Sequence, residues 1–386
     1  MTKTKNRNTR RNFLKTSGTI TVGTMLAGIL PHGLISPIQA NDEIADDEPM
    51  RTFTIDFAWA KPGQFVDADP KEHIKWYADL GCNTLTLISI GLNGYAWYKN
   101  GVVPEQPGLK YDFMPEMVKL GHQKKMKVLG YFCPSINTKW SKEHPDLCCP
   151  NGIPYTQTYL NDLCASIEDA IKKTDMDGFM VDYFHNPDGG RNPLPPLQWL
   201  PCEQEMYQEL MGEKFPGKEK MTPEIELVYR RNAIERAWQR IKTTAKRVKP
   251  NCLIWLSSYE INSEEYKETS LLKEIDMLQS EFGDPQGIQK IRNLLRPQTK
   301  LVMCTANIEG KEQLLKIISD AEEQKFGIND FAPPYANTLR QPISFYLSKP
   351  IDDFKDSRDF HIAVLARVFN RLPLDYIAVD EKQKTK

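Results

Sequence analysis

Short, nearly continuous apolar runs recur along the chain, separated by longer stretches in which apolar positions return every three or four residues. The runs are Phe53–Ala60, Thr84–Ile90, Lys127–Cys133, Gly178–Phe184, Cys252–Tyr259, Asp276–Phe282, Lys300–Ala306 and Phe326–Phe331. A strand covered on both faces has this pattern, because neither side needs polar residues for water. The stretches between them carry helix signals. Asp69-Pro70 predicts a start and Gly81 a stop, since proline suits the first helical position and glycine the left-handed residue after the last. Over Glu224–Val248, the positions Leu227, Ile234, Trp238, Ile241 and Ala245 form one apolar stripe.

Eight strand-then-helix units with right-handed crossovers close most simply into a single (β/α)₈ TIM barrel. An open doubly wound sheet is the competitor. It calls for a glycine-rich phosphate turn after the first strand, and Ala58-Trp59-Ala60-Lys61-Pro62-Gly63 is not one. The connection after the fourth strand, His185 to Pro223, is long, rich in proline and glycine early and helical near Glu203–Lys214. A long insertion at that end of a strand lies over the active face of a barrel.

The first 40 residues belong outside the barrel. Arg10-Arg11-Asn12-Phe13-Leu14-Lys15 followed by a weakly apolar run to Leu30 matches a twin-arginine export signal, with Ala40 placed before the cut. Residues 41–50 then form an acidic linker and 51–386 the barrel domain. The expected location is periplasmic or secreted, with no membrane attachment once the signal is removed. A net charge of −1 over 386 residues leaves no broad basic face for nucleic acid. The eight cysteines include no C-x-x-C pair, and those in apolar runs, Cys133, Cys252 and Cys304, suit buried thiols.

In a barrel the chemistry sits at the C-terminal ends of the strands. These ends offer Asp56 and Trp59, Asp182-Tyr183-Phe184-His185, Tyr259-Glu260, Glu281, Asn307 and Asp330. Carboxylates and aromatics dominate. No G-x-S-x-G elbow and no H-E-x-x-H motif occurs, which removes support for serine-triad and zinc-protease chemistry. Paired carboxylates are what glycoside hydrolysis needs: one protonates the leaving oxygen and the other attacks or activates water. The expected pair is Asp182 and Glu281, each the single charge ending an apolar run. Each could instead cap its loop. Trp59, Tyr183, Tyr259, Trp97 and Trp199 could stack on a sugar ring, and His144, His185, Glu260 and Asn307 could bind its hydroxyls. Asp56, mid-run, could equally be a buried structural acid. No cofactor and no metal is expected. Two other readings stay open: a metal-dependent sugar isomerase or lyase using Asp182, Glu260, Glu281 and Asp284, and a carbohydrate-binding barrel without catalysis.

Several segments resemble glycoside hydrolases related to the α-L-fucosidase barrels. They are His144-Pro145-Asp146-Leu147, Cys149-Pro150-Asn151-Gly152, Tyr159, and above all Asp177-Gly178-Phe179-Met180-Val181-Asp182-Tyr183-Phe184. The helix around Cys202, Glu205, Tyr207 and Gly212 is similar to that family's insertion. The resemblance implies that Asp182 is the nucleophile and Glu281 the acid/base, with Asp182 ionised and Glu281 held in a drier place with a raised pKa. The chain departs from fucosidases at the second strand. There Leu87-Ile88-Ser89-Ile90-Gly91 stands in place of a Lys-His-His-Asp-Gly-Phe-like segment.

Overall fold

The computed structural model describes residues 48–150, 152–185, 197–283, 285–332 and 339–378. The twin-arginine segment, most of the acidic linker and Asp284 fall outside them. Strand and helix alternate as β1 (Arg51–Ile55), α1 (Pro70–Leu80), β2 (Thr84–Thr86), α2 (Phe113–Gln123), β3 (Lys127–Phe132), α3 (Thr138–Glu143), α4 (Gln157–Thr174), β4 (Gly178–Val181), α5 (Pro201–Met211) and α6 (Pro223–Val248). There follow β5 (Leu253–Ser258), α7 (Glu264–Lys267), α8 (Leu271–Glu274), β6 (Met277–Ser280), α9 (Pro285–Ile291), β7 (Lys300–Cys304), α10 (Lys311–Gln324), β8 (Gly327–Ala332), α11 (Ile343–Leu347) and α12 (Ser357–Phe369). All eight apolar runs become strands, seven of them shorter than their runs and β8 equal in length but shifted by one residue.

The strands form one parallel sheet in the order β1-β8-β7-β6-β5-β4-β3-β2. Closure between β1 and β2 rests on Asn83. Its backbone N–H donates to the Arg51 carbonyl at 3.1 Å, its Oδ1 accepts from the Arg51 N–H at 2.8 Å and its Nδ2 donates to the Pro49 carbonyl at 3.0 Å. The side-chain amide thereby supplies pairing where the strands themselves have none. The architecture is a (β/α)₈ barrel.

Helix signals hold where the physics is local. Asp69 Oδ1 caps α1 by accepting from the Lys71 N–H at 2.8 Å, and Gly81 ends that helix at φ 89°. On α6 the residues Ile234, Trp238, Ile241 and Ala245 are buried, as the stripe requires. The insertion after β4 has a small core of its own, in which Leu197, Trp199, Met206 and Tyr207 pack on Tyr229 and Ala233 of α6. All eight cysteines are free thiols, and seven of them are buried. Among the described residues no helix is long and apolar enough to cross a membrane.

Two acids anchor the strand entrances. Asp177 precedes β4, and its Oδ2 accepts the Val128 N–H of β3 at 2.7 Å and faces His122 Nε2 at 3.0 Å. Asp276 precedes β6 in the same way, taking the Ile254 N–H of β5 at 2.9 Å. Gly178 follows Asp177 because β5 leaves no room there: a Cβ would lie 2.2 Å from the Leu253 carbonyl oxygen. From each anchoring acid, four residues of strand carry the chain across the barrel to a second acid, Asp182 or Glu281.

Candidate active site

Side chains alternate across a strand, so residues two apart share a face. At the C-terminal ends of the strands this brings Thr54 and Asp56, Tyr131, Met180 and Asp182, Gln279 and Glu281, and Asn329 and Phe331 around one cavity of about 130 Å³. Trp59, Ile88, Tyr183, Tyr259 and Asn307 complete its wall. Of the residues singled out in the sequence, Asp182, Glu281, Trp59, Tyr183, Tyr259 and Asn307 therefore meet here, joined by Asp56.

Asp182 is held by two donors. The Tyr131 hydroxyl donates to Oδ2 at 2.7 Å and the Tyr183 N–H to Oδ1 at 2.8 Å. Tyr183 adopts φ 51°, an uncommon conformation for a side chain of its size, in which its carbonyl accepts from Ser135 Oγ at 2.5 Å. Glu281 is also doubly held, at Oε1, by Ser257 Oγ of β5 and by Gln279 Nε2 at 2.7 Å. Because Gln279 donates through its nitrogen, its Oε1 accepts from Asn329 Nδ2 at 2.9 Å. Asn307 Nδ2 binds the Glu281 carbonyl at 3.1 Å. This chain of polar contacts ties β5, β6, β7 and β8 to one carboxylate.

The electrostatics differ from the expectation of one ionised and one protonated acid set by separate surroundings. Burial raises both. For Asp182 the Glu281 charge adds to burial, against the lowering hydrogen bonds from Tyr131 and Tyr183. For Glu281 burial is opposed by Ser257 and Gln279, and the Asp56 charge raises it again. Asp56 is itself raised by burial, with the Ala58 N–H on its Oδ1 at 2.7 Å pulling the other way. Two close carboxylates in a dry cavity do not both ionise freely and titrate as a unit. Neither carboxyl therefore ionises independently of the other. Burial, Glu281 and Asp182 push the Tyr259 phenol up to about 12, so it remains a neutral donor.

Five residues expected at the sugar stand elsewhere. His185 is buried against Tyr266, whose hydroxyl lies 2.9 Å from Nε2, and against Glu265 at 3.4 Å from Nδ1. It braces the start of the β4 insertion. His144 stacks on Trp140 with ring centroids 4.3 Å apart. Glu260 opens the turn into α7, its N–H bound to Ser258 Oγ at 3.1 Å. Trp97 and Trp199 are core residues. Asp330 points away from the cavity and is held by Thr305 Oγ1 at 2.6 Å and His361 Nδ1 at 2.8 Å. Sequence reasoning passed over Thr54 and Tyr131, and gave Gln279 and Asn329, visible at the ends of their strands, no role. The two-residue spacing from Asp56 and Glu281 could have found Thr54 and Gln279.

A larger cavity of about 270 Å³ lies beside α3 and α4. Its acids, Glu143 and Asp162, are not a pair free for chemistry, because Asp162 takes the Trp140 indole N–H at 2.8 Å and Glu143 pairs with Lys139. Among the described residues no three His, Cys, Asp or Glu side chains converge closely enough to hold a metal ion.

No protein-family profile matches the sequence, and no curated protein does. Solved structures do match in shape. One is α-L-fucosidase isoenzyme 2 from Paenibacillus thiaminolyticus, at a TM-score of 0.59 and 12% identity over 83% of this chain and 49% of that one. Another is the PgaB (BpsB) glycoside hydrolase domain from Bordetella bronchiseptica, at a TM-score of 0.54 and 10% identity over 74% and 94%. The chain shares the (β/α)₈ barrel fold of these structures. It spans about half the length of the Paenibacillus fucosidase, and identities this low speak for the fold alone.

Proposed function

We propose that this chain is an exported glycoside hydrolase in which Asp182 and Glu281 are the catalytic pair of a retaining mechanism. The observation that supports this most is the convergence of two buried, mutually interacting carboxylates in one aromatic-walled cavity at the C-terminal mouth of the barrel. In the first step a carboxylate oxygen of Asp182 bonds to the anomeric carbon. The glycosidic C–O bond breaks, and its electron pair stays on the leaving oxygen, which takes the proton of Glu281. In the second step Glu281 accepts a proton from water as the water oxygen displaces Asp182. Tyr131 and the Tyr183 N–H hold Asp182 in position through both steps. Trp59, 65% exposed at the lip, offers a face for a sugar ring.

One observation favours the opposite assignment of roles. Glu281 receives two donors on a single oxygen, as an ionised carboxylate would, whereas Asp182 receives one on each oxygen. In that case Asp182 protonates the leaving group and Glu281 attacks. The fold likeness to the Paenibacillus fucosidase makes α-L-fucosides the first substrates to try, although strand two lacks the family's histidines. The test is a panel of aryl glycosides, assayed with and without a chelator. Turnover that survives chelation and is lost in both Asp182→Ala and Glu281→Ala supports the proposal. Absence of turnover on every glycoside leaves a sugar-binding barrel, and restoration of a chelated sample by a divalent ion leaves the metal-dependent reading.

A further inference from the structure

The wall of the active cavity carries one more carboxyl group than hydrolysis uses. Asp56, Asp182 and Glu281 all line it, while no Lys, Arg or His does among the described residues. A two-carboxylate mechanism leaves the third acid surplus. The Asp56 carboxyl has one hydrogen bond, from the Ala58 N–H, and among the described residues no cation lines the cavity with it. Burial holds the Asp56 carboxyl toward its neutral form, and a ligand that brings positive charge would restore the ionised form.

A second observation concerns the neutral atoms of the same wall. Asn329 is 1% exposed and Thr54 4% exposed, and both line the cavity. Among the described residues, Asn329 Oδ1 and Thr54 Oγ1 have no hydrogen-bond partner. The orientation of the Asn329 amide is set by Gln279: Nδ2 is committed to Gln279 Oε1, so the unused atom is an acceptor. Buried polar atoms of this kind are rare without a partner. Carboxylates and an amide oxygen ask for a donor-only group. A sugar hydroxyl both donates and accepts, whereas a protonated amine only donates and carries the charge.

We propose that Asp56, with Asn329 Oδ1 and Thr54 Oγ1, forms a subsite for a protonated amine, so that the glycan taken by this site contains an amino sugar that is not acetylated. The proposal rests on the reading of the cavity as a sugar site. It does not depend on which acid is the nucleophile. Acetylation removes both the charge and two of the donors, and is therefore excluded by the same contacts.

The test is calorimetric binding to the full chain. The probes are glucosamine, galactosamine and mannosamine, each compared with its N-acetylated form and its parent hexose. At least one amine should bind about tenfold more tightly than both counterparts, the usual advantage of a hydrogen bond to a charged group. Asp56→Asn should shrink that ratio, and in the wild-type chain the ratio should fade as pH rises past the pKa of the sugar amine. The pH series needs no variant and stands even if Asp56→Asn misfolds. Equal affinity for amine and parent hexose overturns the proposal. So does a failure of every probe to bind, or an equal loss for all three forms in Asp56→Asn. Preference for the amine with no turnover of any aryl glycoside would instead remove the hydrolase reading and leave the subsite in place.

Discussion

The Tyr131 hydroxyl, reaching from β3, donates to Asp182 Oδ2 at the end of β4 across 2.7 Å. It is the side-chain contact that most favours the ionised form of Asp182 against burial and the neighbouring Glu281 charge. Tyr131→Phe removes that donor and leaves the ring. The expected result is a loss of roughly tenfold or more in kcat/KM, the scale of a hydrogen bond to a charged group, with the pH profile moved to higher pH. A loss of activity without movement of the profile would assign Tyr131 a packing role only.

The roles of the catalytic pair separate by chemical rescue. If Asp182 is the nucleophile, Asp182→Ala should lose several orders of magnitude on all substrates, about the scale of removing a covalent catalyst. Glu281→Ala should lose less on glycosides with good leaving groups, which need little protonation, and azide should restore part of it. The opposite pattern, with leaving-group dependence and azide rescue in Asp182→Ala, assigns the nucleophile to Glu281. Anomer-resolved product analysis by NMR reads the outcome.

Stability should fall with rising pH because of this pair. Both carboxyls have raised pKa values in the folded chain. Below the ordinary carboxylate range both folded and unfolded states hold these protons, and the full stability is present. Above it the unfolded chain releases them while the folded chain still binds them, so each further rise in pH favours unfolding until the folded groups also ionise. Asp182→Asn and Glu281→Gln should therefore flatten the decline of Tm between the ordinary carboxylate range and neutrality, and should melt above the wild-type chain at pH 7. Thermal melts across pH decide it. Parallel curves for variants and wild type would contradict the proposed burial cost.

The anchoring acids should matter for stability and not for chemistry. Asp177→Ala leaves the Val128 N–H without its 2.7 Å acceptor, at a cost of about 1–3 kcal/mol. Gly178→Ala should be worse, because its new methyl group would meet the β5 backbone. Denaturant midpoints should drop for both, and whatever Asp177→Ala folds should keep the wild-type KM. A changed KM would place Asp177 in contact with the site through more than the strand.

The proposed export depends on Arg10 and Arg11. Replacing both with Lys should hold the precursor in the cytoplasm, because twin-arginine export depends on the arginine pair. Fractionation followed by immunoblotting measures this, and normal export of the double variant would rule the pathway out.

The barrel was legible in the order of residues because its causes are local and repeated. Continuous apolar runs such as Gly178–Phe184 need cover on both faces, and caps such as Asp69 and Gly81 act within one turn of helix. Asp182 and Glu281 were visible for the same reason, each a single charge ending a run whose far end is fixed by the fold. The partners of these acids were not visible. Tyr131, Ser257 and Asn329 sit on other strands, 51, 24 and 48 residues away from the acid they serve or adjoin, and only closure of the sheet sets their register. The two histidines show the converse. His144 and His185 lie beside motif residues in sequence, yet their rings turn to Trp140 and Tyr266. Position along a strand end states which residues can reach a cavity, but the direction of each side chain is decided by packing across the barrel. Protonation is decided there too, since the pKa of a carboxyl depends on the charges and the water around it, and neither is encoded in its neighbours along the chain.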